Sequence, residues 1–242
     1  MEDKLKILQE MIHQGKRILF FTGAGVSVAS GIPDFRSQDG LYNQQYAYPP
    51  ETIISHHFFY ENTKEFYRFY KDKMLYPAVK PNQVHHFIAE TEKKGKGIGV
   101  ITQNIDGLHQ KAGSKNVYEL HGSVARNYCI KCHEAYTMED ILHTEDVPYC
   151  TKCGGLIKPD VVLYEEPLDE AIMHQALVAL SKADTLIVLG TSLVVYPAAG
   201  LLRYFTGNNL ILINKSTTPY DDKVDLCIHA DFKDVFDKLT LD

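Results

Sequence analysis

The most specific chemical pattern in the chain is Cys129-x2-Cys132-x17-Cys150-x2-Cys153. Each close pair can bite one edge of a tetrahedral ion, and the loop between them brings the two bites together. Four thiolates close such a site, so its chemistry is structural: a zinc ion would fold an insertion too small to hold itself together. Two unrelated pairs of buried thiols is the competing explanation, and the paired spacing disfavours it. His133 adjoins the first pair, but four ligands already suffice. The fifth cysteine, Cys227, lies in an apolar stretch and reads as core. A second pattern is Gly23-Ala24-Gly25 at the end of an apolar run. Backbone amides in such a turn can cradle phosphate. Position 28 is Val, so the third glycine of the dinucleotide fingerprint is missing, and a simple tight turn accounts for these three residues equally well.

The elements that would carry these residues can be traced along the chain. Arg17–Phe21 leads into Gly23-Ala24-Gly25, and Gly97–Ile101 leads into Thr102-Gln103-Asn104. Asp184–Leu189 leads into Gly190-Thr191-Ser192, and Asn209–Ile213 leads into Asn214-Lys215. Four times a buried-type strand ends in small or polar residues. Helical patterns lie between or before them, over 3–14, Pro81–Lys94 and Asp169–Ser181, with Gly15 as a stop for the first. This alternation predicts an α/β fold, an open parallel sheet with helices on both faces. Ligands in such sheets bind beyond the carboxyl ends of the strands, so the four polar ends should line one crevice. Two segments break the rhythm: an aromatic-rich one over 36–80 and the cysteine-bearing one over 125–157. Both read as insertions forming a smaller lobe, with the larger lobe spanning 1–35, 81–124 and 158–242.

Composition limits the classes open to this chain. It has 242 residues, 45% apolar and 23% charged, with a net charge of −6. That is enough chain to bury a core without disulfides, and too acidic for whole-surface attraction to DNA or anionic membrane. The N-terminus, Met1-Glu2-Asp3-Lys4, lacks the basic and apolar regions of a secretory signal. The most apolar stretch, Leu186–Val195, is about half a membrane span. A single-domain, cytoplasmic protein is the expectation, with its oligomeric state left open by the sequence.

The glycine turn continues as Gly23-Ala-Gly-Val-Ser-Val-Ala-Ser-Gly-Ile-Pro-Asp-Phe-Arg36. It is followed by Thr102-Gln-Asn-Ile-Asp-Gly-Leu-His109, Glu119-Leu-His-Gly122, the four cysteines and Gly190-Thr-Ser-Leu193. In order and spacing, across nearly the whole chain, this resembles the sirtuin family of NAD-dependent protein deacylases, in its bacterial-type short catalytic core. The resemblance implies a Rossmann-like large lobe and a small lobe built from a zinc ribbon and a helical insertion. It implies NAD as co-substrate, one structural Zn2+ on Cys129, Cys132, Cys150 and Cys153, and acylated-lysine proteins or peptides as partners. Ala24, Gly25 and Ser27 would hold the pyrophosphate, Gly23 and Val28 would belong to the same cofactor-binding turn, and Asp34, Phe35 and Arg36 would form the cofactor loop. Gln103 and Asn104 would lie at the nicotinamide ribose, and Ile105 and Asp106 at the carboxamide. Gly190, Thr191, Ser192 and Asn214 would meet the adenosine, with Ile228 and Asp231 framing the adenine. His121 would be the general base, since imidazole can take a proton near neutral pH, and Asn104 would assist it. His56-His57 and His85-His86 lack that context and are expected on helix surfaces.

The acyl-lysine cleft departs from the family pattern. Where the family has Val-Val-x-Phe-Gly-Glu, this chain has Val161-Val162-Leu163-Tyr164-Glu165-Glu166. Tyr164 replaces Phe, and Glu165 replaces a Gly whose freedom at positive φ a Glu lacks. Either the loop changes shape or the peptide path does, and the added charge favours peptides with Lys or Arg beside the acyl-lysine. Desuccinylase-type members carry Tyr-x-x-Arg in the helical insertion. Here Tyr67-Arg68-Phe69-Tyr70 puts the Arg one position after the Tyr, so Tyr67 and Tyr70 should line an apolar pocket for neutral acyl groups, acetyl by default. Three rivals stay open at this stage: mono-ADP-ribosyl transfer by the same site, a non-enzymatic zinc-ribbon nucleic-acid module, and an NAD-dependent dehydrogenase. The cysteine segment mixes Arg126, Lys131, Lys152 and Lys158 with five acidic residues and is no basic stripe, so no direct nucleic-acid contact is expected.

Overall fold

A computed structural model describes residues 1–35 and 47–241. Nine strands are described: β1 Ile18–Thr22, β2 Gly97–Thr102, β3 Val117–Glu119, β4 Gly122–Cys129, β5 Ala135–Thr137, β6 Ile157–Val161, β7 Thr185–Leu189, β8 Asn209–Asn214 and β9 Leu226–His229. The α-helices are α1 Glu2–Gln14, α2 Pro50–Ile53, α3 His56–Glu61, α4 Thr63–Lys73, α5 Gln83–Lys93, α6 Leu108–Ala112, α7 Met138–Leu142, α8 Glu170–Lys182 and α9 Phe232–Phe236.

Six strands form one parallel sheet in the order β3-β2-β1-β7-β8-β9. Its central members are apolar throughout because both faces are covered; all five residues of β1 and of β7 are buried. Alternate side chains go to opposite cores. Ile18 and Phe20 pack with α1, α5 and α9, whereas Leu19 and Phe21 pack with α8 and the 3-10 segment Ala198–Tyr204. The chain leaves β1 towards β2 on one side and reaches β7 on the other, so the strand order reverses between β1 and β7. In open α/β sheets that reversal opens a crevice at the strands' carboxyl ends.

The helices begin where short polar side chains cap them. Asn82 accepts from the Val84 N–H at 3.0 Å to start α5, and Asp169 accepts from the Ile172 N–H at 2.9 Å to start α8. Gly15 ends α1 in an extended conformation and turns the chain directly into β1. Strand β3 did not stand out in the sequence. It is only three residues long and gains its place by pairing with Val100–Thr102 of β2.

The smaller lobe has its own antiparallel sheet, ordered β5-β4-β6, and its own core. That core joins the helical insertion (Phe59, Phe66, Tyr67, Tyr70) to the cysteine segment (Cys129, Ile141, Cys150, Ile157). The two insertions thus fold against each other. The sheet begins at Gly122 and ends at Val161, somewhat outside the 125–157 read as the cysteine insertion.

Candidate active site

The two glycine-bearing strand ends meet backbone to backbone. The Gly23 N–H donates to Leu189 O at 3.0 Å and the Gly25 N–H to Gly190 O at 2.9 Å. A Cβ on Gly25 would stand 2.9 Å from Gly190 Cα, and one on Gly190 would stand 2.6 Å from Val26 N. Gly190 also holds φ 61, which a side chain disfavours. Glycine is therefore required at both positions by close approach. After Gly23 the chain makes two 3-10 turns, Ala24–Val26 and Val28–Ser30. Val28 is exposed at the start of the second. Two groups expected at a phosphate are already engaged: the Gly25 amide on Gly190, and the buried Ser27 hydroxyl, which donates to Asp106 Oδ2 at 2.6 Å.

The residues after β2 knit the crevice together. The Gln103 N–H donates to Thr22 O, and its side-chain amide donates to Thr191 Oγ1 at 3.0 Å. Asn104 is buried; its amide donates to Gly23 O at 3.1 Å and to Ser27 Oγ at 3.2 Å. Ile105 and Phe35 pack on the small-lobe core, at the seam between lobes. Asp106 also accepts from the Leu108 N–H at 2.8 Å. Burial pushes the Asp106 carboxyl above its ordinary range, outweighing the Ser27 hydroxyl, the Leu108 N–H and Lys111, which pull it down. Asp106 borders a cavity of about 250 Å³ that also touches Ile32, Met74, Ser123 and Arg126.

His121 lies just after β3, and its Nδ1 is 2.9 Å from Gln103 O. A carbonyl only accepts, so Nδ1 carries the proton and Nε2 keeps its lone pair. Burial holds the imidazole below its ordinary pKa, against the opposing pull of the Gln103 carbonyl. A neutral ring with a free acceptor nitrogen is the form a general base needs. The His121 carbonyl accepts from the Val162 N–H at 3.0 Å, which ties the base to the segment Val161–Glu166.

That segment is held by the helical insertion. The Tyr164 N–H donates to Ile54 O and the His56 N–H donates to Tyr164 O. Glu165 adopts φ 75, so the loop keeps the left-handed turn despite the missing glycine. Its Oε2 accepts from the His57 N–H at 2.9 Å, capping α3. Glu166 bonds Lys158 Nζ at 3.0 Å, the Leu163 N–H at 2.9 Å and His56 Nδ1 at 2.9 Å.

Several expected positions fall differently. Tyr67 and Tyr70 are each only 1% exposed and belong to the small-lobe core, the Tyr67 hydroxyl donating to Ile157 O. They support the lobe and present no surface to an acyl group. Arg68 projects outward and pairs with Glu65. His56, His57 and His86 are exposed as expected, but His85 is fully buried, its ring 4.8 Å from that of buried His109. His109 Nε2 is 3.0 Å from Thr22 Oγ1, which donates to Thr102 Oγ1, which accepts from the Asn104 N–H. Asn82, at the other end, bonds Val26 O and Ser30 Oγ. These buried polar groups beneath the crevice fall into two parts, since His85 Nε2 and His109 Nδ1 find no partner among the described residues, and only His109, at the end of Thr102–His109, marks them in the sequence. Ile228 is buried in the large core, Asp231 caps α9 through the Lys233 N–H, and Asn214 donates to Ser216 O beside them. Cys227 is half-buried and packs against the edge of the core, with its sulfur towards His229. Ser192 is half-buried beside Thr191 and Asp34 precedes Phe35 at the seam, whereas Arg36 lies outside the described residues.

The four cysteine sulfurs lie within 4.8 Å of one another, with Cys129–Cys153 at 3.5 Å and Cys132–Cys150 at 3.6 Å. A zinc ion with sulfurs near 2.3 Å sets tetrahedral edges of about 3.8 Å, close to both of these separations, so the donor set fits zinc. Each pair turns back through a left-handed residue, His133 at φ 59 and Gly154 at φ 68. The Lys131 N–H donates to Cys129 Sγ and the Tyr136 hydroxyl to Cys150 Sγ, the outer contacts that orient thiolate ligands.

Comparison with known proteins agrees with this geometry. Residues 23–197 match the model of the Sir2 family. The chain is 56% identical over 242 residues to the NAD-dependent protein deacetylase of Clostridium perfringens, covering 99% of both chains. It is 48% identical over 241 residues to the protein of the same name from Staphylococcus aureus strain Mu50, again covering 99% of both. Among solved structures, a Sir2–p53 peptide–NAD+ complex superposes with a TM-score of 0.85 at 41% identity, over 97% of this chain and 96% of that one. A Sir2 complex with an inhibitor, 2'-O-acetyl-ADP-ribose and deacetylated p53 peptide gives 0.84 at 39% identity, over 96% of each.

Proposed function

The chain belongs to the Sir2 family, and from that membership we infer that it is an NAD-dependent protein-lysine deacetylase. It uses NAD as co-substrate and converts an acylated lysine to free lysine, releasing nicotinamide and O-acyl-ADP-ribose. NAD supplies an activated ribose carbon: the acyl oxygen bonds to C1′ as the bond to nicotinamide breaks. The observation that carries our assignment of the base is the His121 Nδ1 to Gln103 O contact, which leaves Nε2 as the acceptor. We assign to His121 the proton of a ribose hydroxyl, whose oxygen then attacks the imidate carbon. Addition of water and loss of the amine complete the balance, leaving the acyl group on the ribose.

The remaining roles are proposals of the same kind. Asp106 would accept from the carboxamide NH2 group, exchanging its Ser27 partner for the ligand. Asn104 would stay at the nicotinamide ribose, its amide steadying the glycine turn. Phe35 would cover the reacting carbon, while Thr191, Ser192 and Asn214 would meet the adenosine. Val161, Val162, Tyr164 and Glu165 would line the peptide path. Zinc on the four cysteines would hold the small lobe together and take no part in the chemistry. We place the protein in the cytoplasm, acting on acylated-lysine peptides.

The test is mass spectrometry of the purified protein with NAD and acetyl-, longer-acyl- and succinyl-lysine peptides. The expected outcome is nicotinamide, O-acyl-ADP-ribose and free lysine in equal amounts, with neutral acyl groups preferred. Transfer of ADP-ribose label to protein while the peptides stay acylated would favour the transferase reading instead. His121→Ala should lower turnover about 10²–10⁴-fold while keeping the melting temperature. Undiminished activity would remove His121 from the mechanism.

A further inference from the structure

Away from the four cysteines, a second cluster of metal-ligating side chains occurs at the far edge of the large sheet. Asp221, Cys227 and His229 bring a carboxylate oxygen, a thiol sulfur and an imidazole nitrogen within 4.8 Å of one another. His229 Nε2 is 2.9 Å from Asp221 Oδ2 and 3.5 Å from Cys227 Sγ. Both contacts fall on the same nitrogen. A Cys–His–Asp relay for nucleophilic catalysis needs the two different ring nitrogens, one facing the thiol and one the carboxylate. This arrangement therefore cannot pass a proton from sulfur to carboxylate through the ring. The three donor atoms instead lie close enough together for one cation to take all three, replacing the proton that Nε2 now shares with Asp221.

The supports of the cluster match that use. Cys227 and His229 are two residues apart on β9, so they share one face of the strand. Their backbone is fixed by pairing with Leu212 and Asn214 of β8. Asp221 Oδ1 is held by the Thr218 N–H at 3.0 Å and the Thr218 hydroxyl at 2.8 Å, which turns Oδ2 towards the other two ligands. Ligating carboxylates are oriented by such outer bonds. Lys4 reaches the Cys227 carbonyl at 2.8 Å, so its charge is engaged on the backbone. His229 is exposed, which gives an ion a way in.

We propose that Asp221, Cys227 and His229 form a second, exchangeable site for a zinc-class divalent ion. One thiolate, one imidazole and one carboxylate suit Zn2+ or Co2+ and select against Mg2+ and Ca2+, which take oxygen ligands. Thiolate and carboxylate together balance the ion's charge. Three protein ligands leave a fourth position for water, the open type of site rather than the closed type built by four cysteines. The two sites should therefore differ in hold: the closed one retained, the open one released first.

Zinc content of the intact protein tests this. Protein equilibrated with excess zinc and desalted should carry two ions per chain, one of them leaving to a mild chelator while the melting temperature stays high. Cys227→Ser and His229→Ala should each retain one ion and bind the second at least about tenfold more weakly. Cobalt substitution gives a separate reading. The thiolate-to-cobalt absorption of the second equivalent should be that of one thiolate, and Cys227→Ser should abolish it. If one variant fails to fold, the other carries the test. A single ion in the unaltered protein, or a second ion held undiminished by both variants, would overturn the proposal.

Discussion

At the scale of single residues, Glu165 shows how a side chain can be kept in a conformation that does not suit it. A left-handed backbone costs a residue with a Cβ about 1–2 kcal/mol. The bond from the His57 N–H to the carboxylate offsets part of that, as a helix cap worth about 1 kcal/mol. The sequence posed a choice between a reshaped loop and a redirected peptide, and the structure keeps the turn. What remains is charge. Glu165→Gln preserves the reach of the side chain and removes the charge. The kcat/KM ratio for peptides with basic over neutral flanks should then fall by up to about fivefold at low salt, the range of an exposed ion pair, and converge with the unaltered ratio at high salt. Equal ratios at low salt would leave Glu165 a cap only. His121 could be picked from its neighbours in sequence; His85 could not. It sits next to exposed His86, and only the packing of α5 against α6 decides which of the two is buried. Burial pushes His85 down to about 4 and His109 down to about 3, with a small further push from His86 on His85 and from His85 on His109. Unfolded, both return to about 6.5 and bind protons that the folded state refuses. Stability therefore falls as pH drops from about 6.5 towards 4, by about 2 kcal/mol per histidine between 6.5 and 5. Urea melts at pH 7 and pH 5 measure this. His109→Gln should flatten the dependence, and an unchanged slope would place the acid sensitivity elsewhere.

At the scale of elements, the strands of the large sheet were legible because each is buried on both faces, which makes a short continuous apolar run. β1, β2, β7 and β8 all fall within a residue or so of where the runs predict them. β3 was not, since Val117-Tyr118-Glu119 has no pattern of its own and depends on β2 for its bonds. The helical insertion was legible as helical but not in its purpose. Tyr67 and Tyr70 look like pocket residues in one dimension; in three they are the surface on which the cysteine segment folds. That makes the zinc element and the aromatic element interdependent. Cys150→Ser, or removal of zinc from the four cysteines, should unfold both. Hydrogen exchange should show lost protection over 122–161 and also over 56–73, while β1, β7 and β8 keep theirs. Protection confined to the cysteine segment would mean that the two insertions are stable separately.

At the scale of the whole molecule, the crevice exists because two strands from distant parts of the chain end in glycine at the same height. Gly25→Ala would drive a Cβ to 2.9 Å from Gly190. Overpacking of this kind costs about 1–3 kcal/mol, and here it would also part the two loops that frame the cofactor crevice. Lower stability in urea together with a raised KM for NAD is expected; a raised KM with unaltered stability would mean that the contact is not tight. The same pairing sets the order of events during synthesis. Phe20 of β1 lies beside Val100 of β2 on one side and Ile187 of β7 on the other. The central strand therefore leaves the ribosome first, and its second neighbour follows on the order of ten seconds later at ~5–20 residues per second. Through that interval β1 is an apolar strand with an open edge, the kind of segment prone to pair with the wrong chain. The strand that makes the site possible is thus the one that synthesis leaves longest without its full set of partners.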